Sequence, residues 1–171
     1  TSEGGRSEAE QLFHERAEAA SGRPPSADDA PSIRALCREL DGLPLAIELA
    51  ASRCRGLAVV DILRRLEDRF SILRAGRDPD DRHGTLEAVI AWSHESLAPE
   101  DRLLLDHAAL LGEPFTPAAA EAVGATTFDA AVDGLSRLVD KSLVQLDADG
   151  PARGYRMLES IRAYYRETVL V

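Results

Sequence analysis

The chain has 171 residues, 44% of them hydrophobic, and its 20 basic and 30 acidic side chains leave a net charge of −10. That apolar share excludes wholesale disorder, the length allows one or two compact units, and no run approaches the ~20 apolar residues needed to cross a bilayer. Acid exceeds base in both halves, which opposes a broad basic face of the kind that neutralises nucleic-acid phosphates. The first residues are polar, without a signal-peptide pattern, and no initiator Met is present, so the chain reads as a piece of a longer polypeptide. Two cysteines, Cys37 and Cys54, do not make a secreted disulfide scaffold. A reduced, cytoplasmic location is expected.

Ser7 to Glu10 form a capping box, and Ala9, Leu12, Phe13 and Ala17 follow at helical spacing until Ser21-Gly22. Pro24-Pro25 makes a stiff connector, Ser26–Ala30 a short turn, and a helix starts near Pro31 with Ile33, Leu36, Cys37 and Leu40 inward. Gly42 can end that helix with φ > 0, and Pro44, with φ already fixed, suits the first position of the next, which ends near Arg55-Gly56. Val59, Ile62, Leu63, Leu66 and Phe70 outline a further amphipathic helix. The polar stretch Gly76 to Gly84 is the candidate boundary between units spanning 1–78 and 82–171.

In the second half, Thr85 can cap a helix through Trp92, and Pro99 can start one carrying Leu103, Leu104, Leu105, Ala108 and Leu111. Thr116-Pro117 is a strong start signal for a short helix to Val123, and Phe128 to Leu138 make another with Val132, Leu135 and Leu138 inward. Ser142–Leu146 and Gly154–Met157 read as strands of a hairpin around the turn formers 147–151, and a last helix begins near Leu158. The predicted fold is mostly α: a helical bundle followed by a winged-helix domain with one β-hairpin.

Catalysis is not expected of this chain. It has no GxxxxGK[ST] phosphate loop and no GxSxG elbow, and its four histidines and two cysteines show no zinc spacing.

Four ordered segments carry a resemblance. Leu36 to Ala51, with Gly42-Leu43-Pro44-Leu45 at its centre, resembles the GLPL segment of STAND-type (NB-ARC/AP-ATPase-like) signalling NTPases and their bacterial regulator branch. Arg82-His83-Gly84-Thr85-Leu86 with Ala91-Trp92-Ser93, then Leu138 to Val144, then Tyr155 to Tyr164, are similar to segments that follow in that family. The resemblance implies a helical lid (1–78, its first helix at the end of a nucleotide-binding core) and a winged-helix arm that close over ADP or ATP. The phosphate-binding core would lie elsewhere in the same polypeptide, and the chain alone is expected not to retain the nucleotide. It implies that the Pro44 ring, flanked by Leu43 and Leu45, lies near the adenine. Met157, Leu158 and Glu159 match the family's Met-His-Asp segment, but Leu158 stands where the His would approach phosphates and cannot donate a hydrogen bond.

The implied role is a nucleotide switch between closed and oligomerisation-competent states, with the nucleotide-binding core and further copies of the parent as partners. The alternative is a sequence-specific DNA-binding winged helix with Phe128–Leu138 in the major groove. There Asp129, Asp133 and Asp140 outnumber Arg137 and Lys141, so DNA binding by this segment is not expected.

Overall fold

A computed structural model describes residues 5–74, 82–124, 126–148 and 153–169. It divides into two compact units, Thr1–Ala91 and Trp92–Val171, and the division falls inside a helix. Part of the expected boundary, residues 76–81, lies outside the described residues.

In the first unit, α1 (Glu8–Ser21) begins at the Ser7–Glu10 capping box and stops at Gly22, whose φ is 78°. A short 3-10 turn over 27–29 leads into α2 (Ala30–Glu39), where Pro31 is harmless because the N–H it lacks would fall among the unpaired donors of a first turn. Asp41 and Gly42 reverse the chain with φ of 54° and 64°, and the Gly42 N–H bonds to the Cys37 carbonyl. Gly42 adopts this conformation freely; at Asp41 the strain was not foreseen. α3 (Pro44–Ser52) packs mainly on α1, and α4 (Val59–Arg74) on α2. Phe13, Ile33, Leu36, Leu40, Ile47, Leu49, Ile62 and Leu66 fill the core between them.

α5 (Arg82–Glu95) starts earlier than expected. Thr85 therefore lies inside the helix instead of capping it, and its hydroxyl donates to Asp41 Oδ2 at 2.9 Å. Within the second unit Trp92 is buried, as a core anchor should be. α6 (Pro99–Ala108) opens on its proline, α7 (Pro117–Gly124) opens after Thr116, and α8 (Phe128–Asp140) is capped by Thr127 Oγ1, which accepts from the Ala130 N–H. Leu104 and Leu105 are buried but Leu103 is half exposed. Three consecutive leucines cover most of a helical turn, so one must face outward.

β1 (Gln145–Asp147) and β2 (Gly154–Arg156) pair antiparallel, with Leu146 opposite Tyr155. A third, one-residue strand joins them: Phe115 and Tyr155 exchange backbone hydrogen bonds of 2.9 and 2.7 Å. α9 (Glu159–Tyr164) and a wide helical turn over Tyr165–Val169 close the unit, with Ile161 and Tyr165 in its core. The mostly helical fold with a winged-helix half is as the residue pattern predicted.

Candidate nucleic-acid interface

The second unit runs α6, the Phe115 bridge, α7, α8, then the β1–β2 hairpin. α7 ends at Gly124 and α8 begins at Phe128, and α8 packs on α6 through Gly134. A Cβ on Gly134 would lie 2.5 Å from Leu104 Cδ2, so a larger residue there would make the Leu104 side chain shift. Leu135, Leu138 and Ala131 face the core. Phe128, Asp129, Ala130, Asp133, Ser136, Arg137 and Asp140 are exposed. The hairpin presents Arg153, Leu146 and Arg156 to solvent, and Arg156 Nη2 donates to Asp147 Oδ2 at 2.9 Å.

Four acidic side chains in this unit sit beside a cationic or imidazole partner. Asp101 is 1% exposed and accepts three hydrogen bonds from Arg137. Those bonds hold the Arg137 guanidinium above its ordinary pKa. Glu113 accepts from Arg162 at 2.6 Å, and Asp106 lies 3.0 Å from His94 Nε2. Asp129 sits in the first turn of α8, where a carboxylate favours the helix dipole.

The residues expected to hold nucleotide fall in two sets in different units. Leu43 is the N-cap of α3, Pro44 its exposed first residue, and Leu45 is half-buried behind it. Met157 is buried, and its N–H donates to Glu113 Oε1 at 2.7 Å. Leu158 is the N-cap of α9, and Glu159 is the exposed acid of its first turn. Among the described residues no group of three His, Cys, Asp or Glu could hold a metal, and no helix is long and apolar enough to cross a membrane.

Residues 97–170 match the family model of a winged helix-turn-helix domain. Two relatives, from Mycobacterium tuberculosis and Mycobacterium bovis, carry the provisional name of HTH-type transcriptional regulators; each is 39% identical over 165 residues, 94% of this chain and 19% of the relative. An uncharacterised Mycobacterium tuberculosis protein is 39% identical over 147 residues, 83% of this chain. The chain spans only 37% of that relative's length.

These findings correct two expectations. The reading as an ATPase lid and arm closing over ADP or ATP, with a nucleotide-binding core as partner, finds no support in them; they favour the alternative. The expectation that the segment does not bind DNA is overturned by the same match and the same regulator relatives. Asp129, Asp133 and Asp140 do remain exposed on α8, so the charge sum misled because it was weighed above the order of helices and hairpin on which the match rests. Residues 97–170 are thus a winged helix-turn-helix domain, in a chain similar over most of its length to proteins named as HTH-type transcriptional regulators.

Proposed function

We propose that residues 97–170 bind duplex DNA, with α8 in the major groove and the β1–β2 hairpin as the wing against the flanking backbone, and that the chain serves within a transcription regulator. The observation that carries this is the winged helix-turn-helix match over α6 to α9, with α8 as the second helix of the turn-helix pair. In such pairs the second helix reads base edges while other parts touch phosphates. Phe128, Asp129, Ala130, Asp133 and Ser136 are the exposed side chains nearest the start of α8. A carboxylate there accepts from cytosine N4. Arg137, Lys141, Arg153 and Arg156 are the cations of α8, its end and the wing.

So few cations predict modest affinity. If all four neutralise phosphates, log K should fall with log salt at a slope of roughly −3 to −4. The test is selection from a random-sequence duplex pool, followed by titration of the recovered site and of a scrambled duplex. The reading predicts a recovered site bound at least ~10³-fold more tightly than scrambled DNA. Failure of the folded chain to bind any duplex at about 50 mM salt sinks it.

A further inference from the structure

We propose that Asp101 is a positioning residue for DNA contact: it locks the Arg137 guanidinium so that the guanidinium's outer edge is presented to a DNA phosphate. The inference rests on the DNA-binding reading above.

Asp101 stands in the first turn of α6 and is 1% exposed. Arg137 Nε lies 3.1 and 2.9 Å from its two carboxylate oxygens, and Arg137 Nη2 lies 2.7 Å from Oδ1. The carboxylate therefore grips the Nε–Nη2 side of the guanidinium. A guanidinium carries five N–H donors in a rigid fork. The Nη1–Nη2 edge remains, and no hydrogen bond within the described residues uses Nη1. That second edge has the same spacing as the first and matches two phosphate oxygens.

Burial is unequal across the pair. The Asp101 side chain is 2% exposed and the Arg137 side chain 47%. Here the anchor is sunk in the domain while about half of the arginine side chain is exposed. Gly134 permits this geometry: a Cβ there would stand 3.5 Å from Asp101 Oδ1 and crowd Leu104. Arg137 is the tenth of thirteen residues in α8. The early residues of a recognition helix reach base edges, so a cation this late faces the backbone. Holding its rotamer beforehand removes part of the ordering cost of binding.

The test measures binding of the full 171-residue chain to a fluorescently labelled duplex of mixed sequence between about 50 and 200 mM salt. Circular dichroism confirms that each variant is folded. Arg137→Gln should bind about fivefold more weakly, with a salt slope shallower by about 0.9, the share of one phosphate contact. Arg137→Lys keeps the charge but cannot take the carboxylate on one edge and offer a second, so it too should weaken binding. Asp101→Asn decides by sign. Removing a negative charge near DNA tightens binding on charge alone, whereas loss of positioning weakens it.

Weaker binding by folded Asp101→Asn supports the proposal; equal or tighter binding overturns it. If Asp101→Asn does not fold, the half-exposed Arg137 variants decide. Wild-type affinity in Arg137→Lys, or an unchanged slope in Arg137→Gln, overturns it. No binding by the wild-type chain removes the DNA reading itself and this inference with it.

Discussion

Arg162 Nη2 donates to Glu113 Oε1 at 2.6 Å, and the same oxygen accepts the Met157 N–H at 2.7 Å. Arg162 Nη1 also caps the Ala109 and Leu111 carbonyls, at 3.2 and 2.6 Å. One 4%-exposed side chain thus satisfies the carbonyls after α6 and fixes the chain as it leaves the wing. Arg162→Ala would take the arginine donor from two carbonyls and leave Glu113 with the Met157 N–H and no cation. The expected loss is about 3 kcal/mol, the low end for a broken buried pair because Glu113 is partly solvated. Urea unfolding that shows a loss below about 1 kcal/mol would assign the cluster no structural role.

Gly134 against Leu104 makes a second stability prediction. Gly134→Ala places a methyl 2.5 Å from Leu104 Cδ2. That atom ends a flexible side chain, so the cost should sit near the low end of overpacking, about 1 kcal/mol. Leu104→Ala opens a cavity at the same place. The double variant should therefore be more stable than the two single losses predict by addition. Strict additivity in thermal unfolding would mean that α6 and α8 do not meet here.

Tyr165 is fully buried against His94 and Tyr164, and its hydroxyl has no partner among the described residues. Burial, with Asp106 nearby, pushes its ionisation well above the ordinary tyrosine range. A folded pKa above the unfolded one means stability is fully present below about pH 10, the unfolded value, and is lost as pH climbs past it. Tyr165→Phe should remove this group's share of the alkaline loss and stabilise the chain at neutral pH by about 1 kcal/mol. An undiminished alkaline loss in Tyr165→Phe would place its cause in other groups.

Cys37 and Cys54 are free, and burial pushes both thiols up to about 11. At pH 8 only about a thousandth of each is thiolate, so iodoacetamide should react slowly and about tenfold faster per pH unit below 11. Cys37, 6% exposed, should be the slower of the two. Rapid labelling of Cys37 in the folded chain at pH 8 would contradict its place in the core.

The helices were legible because their ends are written in local chemistry: Ser7 with Glu10, Pro99, and Thr116 with Pro117 all cap or open a helix where the structure has one. The Phe115 strand was not, since one residue has no periodicity to read and its partner Tyr155 lies forty residues on. The exposure of Leu103 was not legible either, because neighbouring leucines give no clue to which faces out. The α8 side chains were named from the residue pattern, but their acidic excess was weighed above the winged-helix order of elements. Asp101 and Arg137 are 36 positions apart, and nothing local says that one holds the other.

Asp133 is exposed on α8, on the side proposed to approach DNA. Asp133→Asn should tighten binding to mixed-sequence duplex about threefold at low salt, with less gain as salt screens the field. An unchanged affinity would move α8 away from the DNA.

The most direct measurement is amide chemical-shift mapping of the isotope-labelled chain as a mixed-sequence duplex is added at about 50 mM salt. The account predicts shifts concentrated in α8, Phe128–Asp140, and in the wing residues 145–147 and 153–156, with α1 to α4 unmoved. Shifts confined to residues 5–74, or none at saturating duplex, would contradict it.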